Sequence, residues 1–293
     1  MAIRFVCMAL CWLACARPAS AEKPVMHWMM PDFPPGSIMV DGKPTSGVGD
    51  RIVLFLAAGM PEFEHRFSAP NPKRIWALLT TPATQACYLT GVITPERRKI
   101  AYFAPLFMSP PHQIVARPEV FERLRRDNGE TDFAALIADP ALRGIVATTR
   151  SYGATLDAVI AGRPSVTGLI VAQTSNDRGN LLKMVHRGRA DYTLEYDFVL
   201  SYQTSLDKGL ATLKAVPVKG NSALLPVGVA CPRTVWGLDM ITRIDRLLAT
   251  SAGADASRRA LEAWLTPDTR ARYRDELDRF FRARLSPTPA DKF

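Results

Sequence analysis

The most constraining feature of the chain is an alternation of compact apolar segments with longer amphipathic segments, which occurs twice along its length. Compact apolar runs bounded by Pro, Gly or Asp are typical of buried strands, and periodic runs that end at Gly are typical of helices. The first block predicts strands at 25–30, 86–89, 101–107 and 113–117, with helices at 49–59 and 75–79.

The alternation starts again after residue 117. The second block predicts helices at 120–126, 153–161, 180–186, 235–250 and 268–285, and strands at 144–148, 168–172, 191–194, 216–218 and 227–230. Two successive strand–helix blocks favour an α/β fold with two similar lobes.

The N-terminal segment is typical of an export signal. Met1–Arg4 is basic, residues 5–16 are uncharged and apolar, and Ala19-Ser20-Ala21 has the small-x-small pattern of a cleavage site. We therefore predict a secretory signal peptide at 1–21, because the apolar run is too short to span a bilayer. An alternative is lipid attachment at Cys15, since Leu13-Ala14-Cys15 resembles the end of a lipoprotein signal.

The composition is that of a soluble globular protein with a basic surface. The 293 residues are 47% hydrophobic, and the formal net charge of +9 falls to +7 without Arg4 and Arg17 of the signal. Such a charge favours anionic ligands in general. The basic residues are dispersed and no phosphate-binding glycine loop is present, so nucleic-acid binding is not expected.

Export changes the meaning of the cysteines. After removal of residues 1–21 only Cys87 and Cys231 remain. In an oxidising compartment such a pair either forms a disulfide or consists of two separate buried thiols, and both possibilities stay open from sequence. Two cysteines exclude a thiolate zinc cluster, and we expect neither a metal nor a cofactor.

Three stretches carry a resemblance to a known family. The first is Asp32-Phe33-Pro34-Pro35, followed by the turn 41–43 and by Gly47-Val48-Gly49-Asp50. The second is Thr94-Pro95-Glu96-Arg97-Arg98 with Ala101-Tyr102-Phe103-Ala104-Pro105, and the third is Gly188-Arg189-Ala190-Asp191. Their order and spacing resemble the bacterial extracellular solute-binding proteins of family 3, which are built around the amino-acid receptors of ABC transporters.

The resemblance implies a bilobal periplasmic-binding-protein fold, with two α/β lobes joined by two hinge strands. It divides the chain into a signal peptide at 1–21, a first part of lobe 1 at 22–114, lobe 2 at 115–226, and a return to lobe 1 with C-terminal helices at 227–293. It further implies a periplasmic monomer without a membrane span, which binds a small anionic or zwitterionic solute for an ABC permease and needs no cofactor.

The resemblance also assigns residues to a cleft. Arg97 would bind a ligand carboxylate, since a guanidinium presents parallel N–H donors that match a carboxylate. Phe33 would stack over the ligand, and Thr90 would offer a hydroxyl. Alternatively, Arg97 is solvated or paired with Glu96, Phe33 packs beneath its loop, and Thr90 is a turn residue.

In lobe 2, Ser151 and Tyr152 occupy the position of the family's second set of contacts, at the start of a predicted helix. A helix N-terminus with hydroxyls is suited to anions, although Ser151 could equally be only an N-cap.

The chain departs from amino-acid receptors at one position. Those proteins carry an aspartate that binds the ligand's ammonium, and here the equivalent position is Tyr196. A phenol cannot neutralise an ammonium as a carboxylate can. Either Glu195 or Asp197 substitutes with a small shift of register, or the ligand is not a standard α-amino acid.

Two other functions remain open from sequence. One is an enzyme on the same scaffold, of a dehydratase-like kind, which would need a general acid or base in the cleft. The four histidines are scattered and lie in no recognisable catalytic motif, so we expect no catalytic residues. The other is a sensory or accessory binding protein without a permease.

Overall fold

A computed structural model of the protein describes residues 22–124, 126–147, 152–164, 168–172, 178–289 and 292–293. The predicted signal peptide 1–21, with Cys15, lies outside the described residues, as does Ser151. The described strands are β1 (Val25–Met29), β2 (Met39–Val40), β3 (Lys43–Pro44), β4 (Glu64–Ser68), β5 (Ala86–Val92), β6 (Ala101–Ser109), β7 (Gln113–Ala116), β8 (Arg126–Asp127), β9 (Glu130–Thr131), β10 (Gly144–Ala147), β11 (Leu169–Ala172), β12 (Tyr192–Glu195), β13 (Lys214–Val216) and β14 (Leu225–Pro232).

The helices alternate with these strands, as the sequence pattern predicts. They are α1 (Val48–Gly59), α2 (Pro72–Leu79), α3 (Pro95–Arg98), α4 (Pro118–Phe121), α5 (Phe133–Ala138), α6 (Ala154–Ala161), α7 (Arg178–His186), α8 (Asp197–Leu206), α9 (Val235–Leu248), α10 (Ser251–Glu262), α11 (Pro267–Arg272) and α12 (Arg274–Ala283), with a 3-10 helix at Lys208–Thr212. No described helix combines the length and the apolar character that crossing a membrane requires.

The strands form two separate five-stranded sheets, which confirms the expected α/β fold with two halves. The first sheet has the order β4-β1-β5-β14-β6 and the second has the order β11-β10-β12-β7-β13. In each sheet, the first strand after the chain arrives from the other sheet runs antiparallel to both of its neighbours. In the first sheet β14 pairs with β5 and β6, and in the second sheet β7 pairs with β12 and β13.

The chain crosses between the sheets at 110–112 and again at 217–224. The first crossing follows β6, and the second leads back into β14 at the interior of the first sheet. The predicted boundaries at 114/115 and 226/227 lie close to these crossings, and the division into lobes at those residues stays a prediction.

Side chains of alternate residues cover both faces of each sheet. Ile114 and Ala116 of β7 pack into a cluster with Phe133, whereas Val115 between them packs with Leu181 on the opposite face. This period of two follows from the pleat of a strand, and burial on both faces explains why the strands read as continuous apolar runs.

Two predicted helices differ in the structure. The segment 120–126 is not one helix: α4 ends at Phe121, and Arg126–Asp127 pairs with Glu130–Thr131 in a short hairpin. The hairpin turn is Asn128-Gly129, with φ of 51° and 79°. These left-handed residues are typical of a two-residue hairpin turn, and this local signal outweighs the helical pattern.

The predicted C-terminal helix 268–285 is also divided, because α11 ends at Arg272 and α12 begins at Arg274. Tyr273 between them leaves the helical conformation, with φ of −103° and ψ of 14°. Its ring is buried, and its hydroxyl donates to the carbonyl of Ser222 at 2.9 Å. This tertiary contact overrides the local helical preference.

Cys87 on β5 and Cys231 on β14 form a disulfide, with Cα atoms 4.4 Å apart. Of the two possibilities left open by the sequence, the structure therefore shows the bonded pair. The bond closes a loop with a sequence separation of 144 residues, which contains the whole second sheet. A cross-link that closes so long a loop removes much of the conformational freedom of the unfolded chain.

We expect the double variant Cys87→Ala/Cys231→Ala to lose about 2–5 kcal/mol of the free energy of unfolding, because the unfolded chain regains the freedom that the loop removes. Urea unfolding with and without reductant measures this loss. Reductant should lower the midpoint of the wild-type protein and leave the double variant unchanged. An unchanged wild-type midpoint after complete reduction would contradict the prediction.

A buried ion pair holds the C-terminal segment against the first half of the molecule. Arg284 donates from Nη2 to Oδ1 of Asp245 at 2.7 Å, and both side chains are buried. The backbone and hydroxyl of Thr288 also donate to the Asp245 carboxylate, at 2.7 and 2.8 Å, and Nε of Arg284 donates to the carbonyl of Pro105. Burial lowers the pKa of Arg284, and the Asp245 carboxylate opposes that shift.

Removing the charge of Asp245 leaves a buried guanidinium without its counter-ion. We expect Asp245→Asn to lower the free energy of unfolding by about 3–5 kcal/mol, measured by urea unfolding. The matched control is Asp239→Asn on the same helix, where the carboxylate is exposed and pairs with Arg243 at the surface. Equal losses in the two variants would show that the buried pair of Asp245 and Arg284 does not stabilise the fold more than an exposed pair does.

Candidate functional site

A cavity of about 1210 Å³ lies between the two halves of the molecule. The first half contributes the loop after β1, the exposed side of α2 and the ends of β5, β6 and β14. The second half contributes Ala147 at the end of β10, Leu181 of α7, and residues at the start and in the middle of α8. Four of the predicted ligand residues line this cavity, namely Phe33, Thr90, Arg97 and Tyr196.

A buried carboxylate shapes the loop that carries Phe33. Asp50 on the first turn of α1 accepts hydrogen bonds from the backbone N–H of Ile38 and Gly47, both at 2.8 Å, and from that of Thr45 at 3.2 Å. The hydroxyl of Ser37 donates to the same carboxylate at 3.1 Å. Asp50 therefore fixes the backbone of the segment that follows Phe33, and it does not line the cavity itself.

The glycine that precedes this helix has a steric role in the same loop. A Cβ added at Gly47 would lie 2.8 Å from a carboxylate oxygen of Asp50 and 2.8 Å from the carbonyl oxygen of Pro35. The close approach of loop and helix therefore requires glycine at this position.

Arg97 reaches the cavity from the short helix α3, which Thr94 caps. Its Nη1 donates to the carbonyl oxygen of Val92 at 2.8 Å, and its guanidinium carbon lies 4.5 Å from the ring centroid of Trp76. Burial lowers the pKa of Arg97, and the nearby phenols of Tyr88 and Tyr196 oppose that shift. None of the described carboxylates forms an ion pair with this guanidinium.

The neighbouring arginine has a different environment. Arg98 donates to the carbonyl of Lys292 at 2.7 Å and lies over the ring of Phe103, outside the cavity lining. Of the two adjacent arginines, only Arg97 therefore presents its charge to the space between the halves.

A row of five rings connects the two halves, and four of the five line the cavity. The Phe33 ring meets those of Tyr196 and Phe198 edge-on, at centroid distances of 6.2 and 6.0 Å. Tyr196 stacks on Phe198 at 4.9 Å and on His112 at 3.7 Å, and His112 meets Tyr152 at 5.1 Å. His112 belongs to the first crossing, so the row joins both halves to the segment that connects them.

Two other predicted residues are buried and do not line the cavity. Tyr152 is 2% exposed, and its hydroxyl accepts a hydrogen bond from the backbone N–H of Ala147 at 2.9 Å. Glu195 is 1% exposed, and its Oε1 accepts from the backbone N–H of Tyr196 at 2.9 Å. The ligand roles of all six described residues stay predictions, and Ser151 lies outside the described residues.

The lining residues that were not predicted from the sequence include Trp76, His112 and Phe198. Trp76 lies on an amphipathic helix, where a half-exposed ring gives no local signal. His112 offered a signal, since it is a titratable residue in Pro110-Pro111-His112 between two predicted strands. Phe198 lies in α8, a helix that the sequence pattern did not indicate.

Two acidic residues near Tyr196 serve the fold. Asp191 accepts from Nη2 of Arg117 at 2.9 Å and from the backbone N–H of Arg143 at 2.7 Å. Asp197 accepts from the backbone N–H and the hydroxyl of Thr266, both at 2.8 Å. Asp197 thus fastens α8 to the segment that begins α11.

Comparison with known proteins identifies the fold. No family model matches the chain, and no curated protein sequence matches it. Among solved structures, the chain is similar to the probable amino-acid ABC transporter extracellular-binding protein YtmK from Bacillus subtilis. The TM-score is 0.61 at 17% identity, over 84% of this chain and 99% of that chain.

Two further solved structures are similar. One is an ancestral cationic amino acid solute-binding protein, with a TM-score of 0.63 at 18% identity over 83% of this chain and 96% of that chain. The other is a histidine kinase sensor domain with similarity to periplasmic binding proteins, with a TM-score of 0.59 at 16% identity over 84% and 99%. The fold is therefore the bilobal fold of periplasmic binding proteins, as the sequence motifs predict.

The contact between Asp197 and Thr266 has a consequence for stability. Burial raises the pKa of Asp197 above its usual value of 3.8, and hydrogen bonds from Thr266 and Thr269 oppose the shift. Asp197 therefore binds a proton more strongly in the folded chain than in the unfolded chain. Its contribution to stability therefore falls as the pH rises from about 3.8 through the folded pKa.

We expect Asp197→Asn to remove this contribution. The free energy of unfolding of the wild type, minus that of the variant, should decrease as the pH rises through this interval. Urea unfolding at a series of pH values measures the difference, with Asp239→Asn as the exposed control. A difference that is constant with pH would show that Asp197 has its ordinary pKa.

Proposed function

We propose that the protein is an exported solute-binding protein, which captures a small anionic or zwitterionic solute between its two lobes and delivers it to an ABC-type importer. Three observations support this proposal: the bilobal fold, the cavity between the two sheets, and the N-terminal sequence typical of a signal peptide. The similar proteins named above are a probable ABC transporter binding protein, an amino acid binding protein and a sensor domain.

The observation that carries the proposal is the environment of Arg97. Its guanidinium is half buried in the cavity, and no described carboxylate pairs with it. A partly desolvated cation without a counter-ion is costly, and an anionic ligand lowers that cost. Within the proposal, Arg97 binds the anionic group, Phe33 and Tyr196 cover the ligand, and Thr90 offers a hydroxyl.

The proposed motion is closure of the lobes about the two crossings. Lobe 1 would comprise 22–114 and 227–293, and lobe 2 would comprise 115–226. A ligand that touches both lobes stabilises the closed arrangement more than the open one. We propose a monomer that acts in the periplasm by binding alone, without a catalytic step.

A second candidate is a sensory role without a permease. The similarity to a histidine kinase sensor domain supports it, because the same fold then serves signalling. The two roles differ in cells that lack the protein. A transport role predicts loss of solute uptake, whereas a sensory role predicts intact uptake and loss of a response.

We expect Arg97→Ala to weaken ligand binding by about 2–5 kcal/mol, since it removes one partner of a buried charge pair. The ligand is first identified from the rise in melting temperature in a panel of amino acids, organic acids, polyamines and short peptides. Its affinity is then measured by calorimetry.

The matched control is Arg98→Ala, which removes the neighbouring arginine outside the cavity and should leave the affinity unchanged. Arg97→Lys should recover part of the loss, because lysine keeps the charge without the paired donors. Wild-type affinity in Arg97→Ala would remove Arg97 from the site.

A further inference from the structure

By the sequence resemblance, Tyr196 stands where amino-acid receptors hold an ammonium-binding carboxylate, and the carboxylates next to it are engaged elsewhere. Tyr196 lines the cavity with its ring stacked between those of His112 and Phe198. Glu195 is buried outside the lining, with one oxygen on the backbone N–H of Tyr196. Asp197 is held by Thr266. A shift of register therefore supplies no carboxylate at this position.

The charged side chains that line the cavity also favour an anionic ligand over a cationic one. Its described basic side chains are Arg97 and Lys73, and its described acidic side chain is Asp32. Lys73 and Asp32 are both exposed, and they oppose one another in sign. The half-buried charge is therefore the guanidinium of Arg97, which suits an anion and offers nothing to a cation.

The rest of the lining is suited to an apolar body. Six aromatic side chains line the same cavity as Arg97, namely Phe33, Trp76, Tyr88, Phe107, Tyr196 and Phe198. The volume of about 1210 Å³ exceeds that of most small-molecule sites, which span roughly 300–1,000 Å³. A carboxylate at Arg97 thus leaves room for a ring or a branched chain among the aromatic side chains.

We propose that the cleft selects carboxylates that are carried on an aromatic or other apolar body and lack an ammonium group, and that Tyr196 sets this preference. The proposal rests on the solute-binding function proposed above. It departs from amino acids because an ammonium beside Tyr196 would lose water without gaining a carboxylate. An unpaired buried polar group of this kind weakens binding by about 10- to 100-fold.

A matched series of four compounds tests the proposal on the purified protein by calorimetry. 3-Phenylpropanoate has the carboxylate and the ring, L-phenylalanine adds the ammonium, 2-phenylethylamine has the ammonium without the carboxylate, and propanoate lacks the ring. We expect 3-phenylpropanoate to bind, L-phenylalanine to bind about 10- to 100-fold more weakly, and the other two compounds not to bind measurably.

Two variants test the role of Tyr196. Tyr196→Asp restores a carboxylate, and it should shift the affinity ratio of L-phenylalanine to 3-phenylpropanoate at least about tenfold towards the amino acid. Tyr196→Phe keeps the stacked ring without the hydroxyl, and it should keep the wild-type ratio. If Tyr196→Asp does not fold, the four compounds on the wild-type protein still decide the ligand class.

The outcomes separate this proposal from the solute-binding function. L-phenylalanine binding as tightly as 3-phenylpropanoate would overturn the ligand class and leave the binding function in place. The same conclusion follows if none of the four compounds binds while the broader panel yields a ligand that carries an ammonium group or lacks an apolar body. If the whole panel also yields none, the binding function fails as well.

Discussion

The structure depends on the insertion of β14 between β5 and β6, because the first sheet is incomplete until the chain has finished the second. The disulfide between Cys87 and Cys231 fastens this strand covalently to β5. The same pairing supports the cavity. Val227 of β14 lies beside Val92 of β5, and the carbonyl of Val92 accepts the hydrogen bond from the Arg97 guanidinium. The cation in the cleft is thus held by a strand that the returning chain fixes in place.

The site combines one partly desolvated cation with several rings, and the two features reinforce each other. The carbonyl of Val92 and the face of Trp76 stabilise the guanidinium without neutralising it. Aromatic walls exclude water when a ligand enters, and exclusion of water strengthens the attraction between the guanidinium and an anion. Because His112 in the first crossing stacks on Tyr196, the wall of the cavity is also in contact with the segment about which the lobes are proposed to move.

The sequence patterns predicted the two-sheet architecture correctly, but they predicted single helices and strands less well. The apolar runs identified the interior strands of both sheets. The elements that were missed include β4, α8 and α10, because polar and apolar residues are mixed in them and no compact apolar run marks them. The turn Asn128-Gly129 was overlooked, and a helix was wrongly extended to residue 126, where the first strand of the hairpin begins. For the site, the motif around Arg97 predicted a residue that does line the cavity. Trp76 and His112 could not be predicted in the same way, because their place depends on pairings between distant strands.

Two carboxylates of the motifs that carry the resemblance serve the fold rather than the cavity. Asp50 binds the backbone of the loop after β1, and Asp191 binds Arg117 and the backbone of Arg143. Both carboxylates therefore hold loops and strands in place, and neither lines the cavity. A sequence can keep these motifs, and with them the bilobal frame, while the ligand-facing residues differ. Similarity at these positions consequently supports the fold and says little about the solute, for which we propose Tyr196 as the residue that sets the preference.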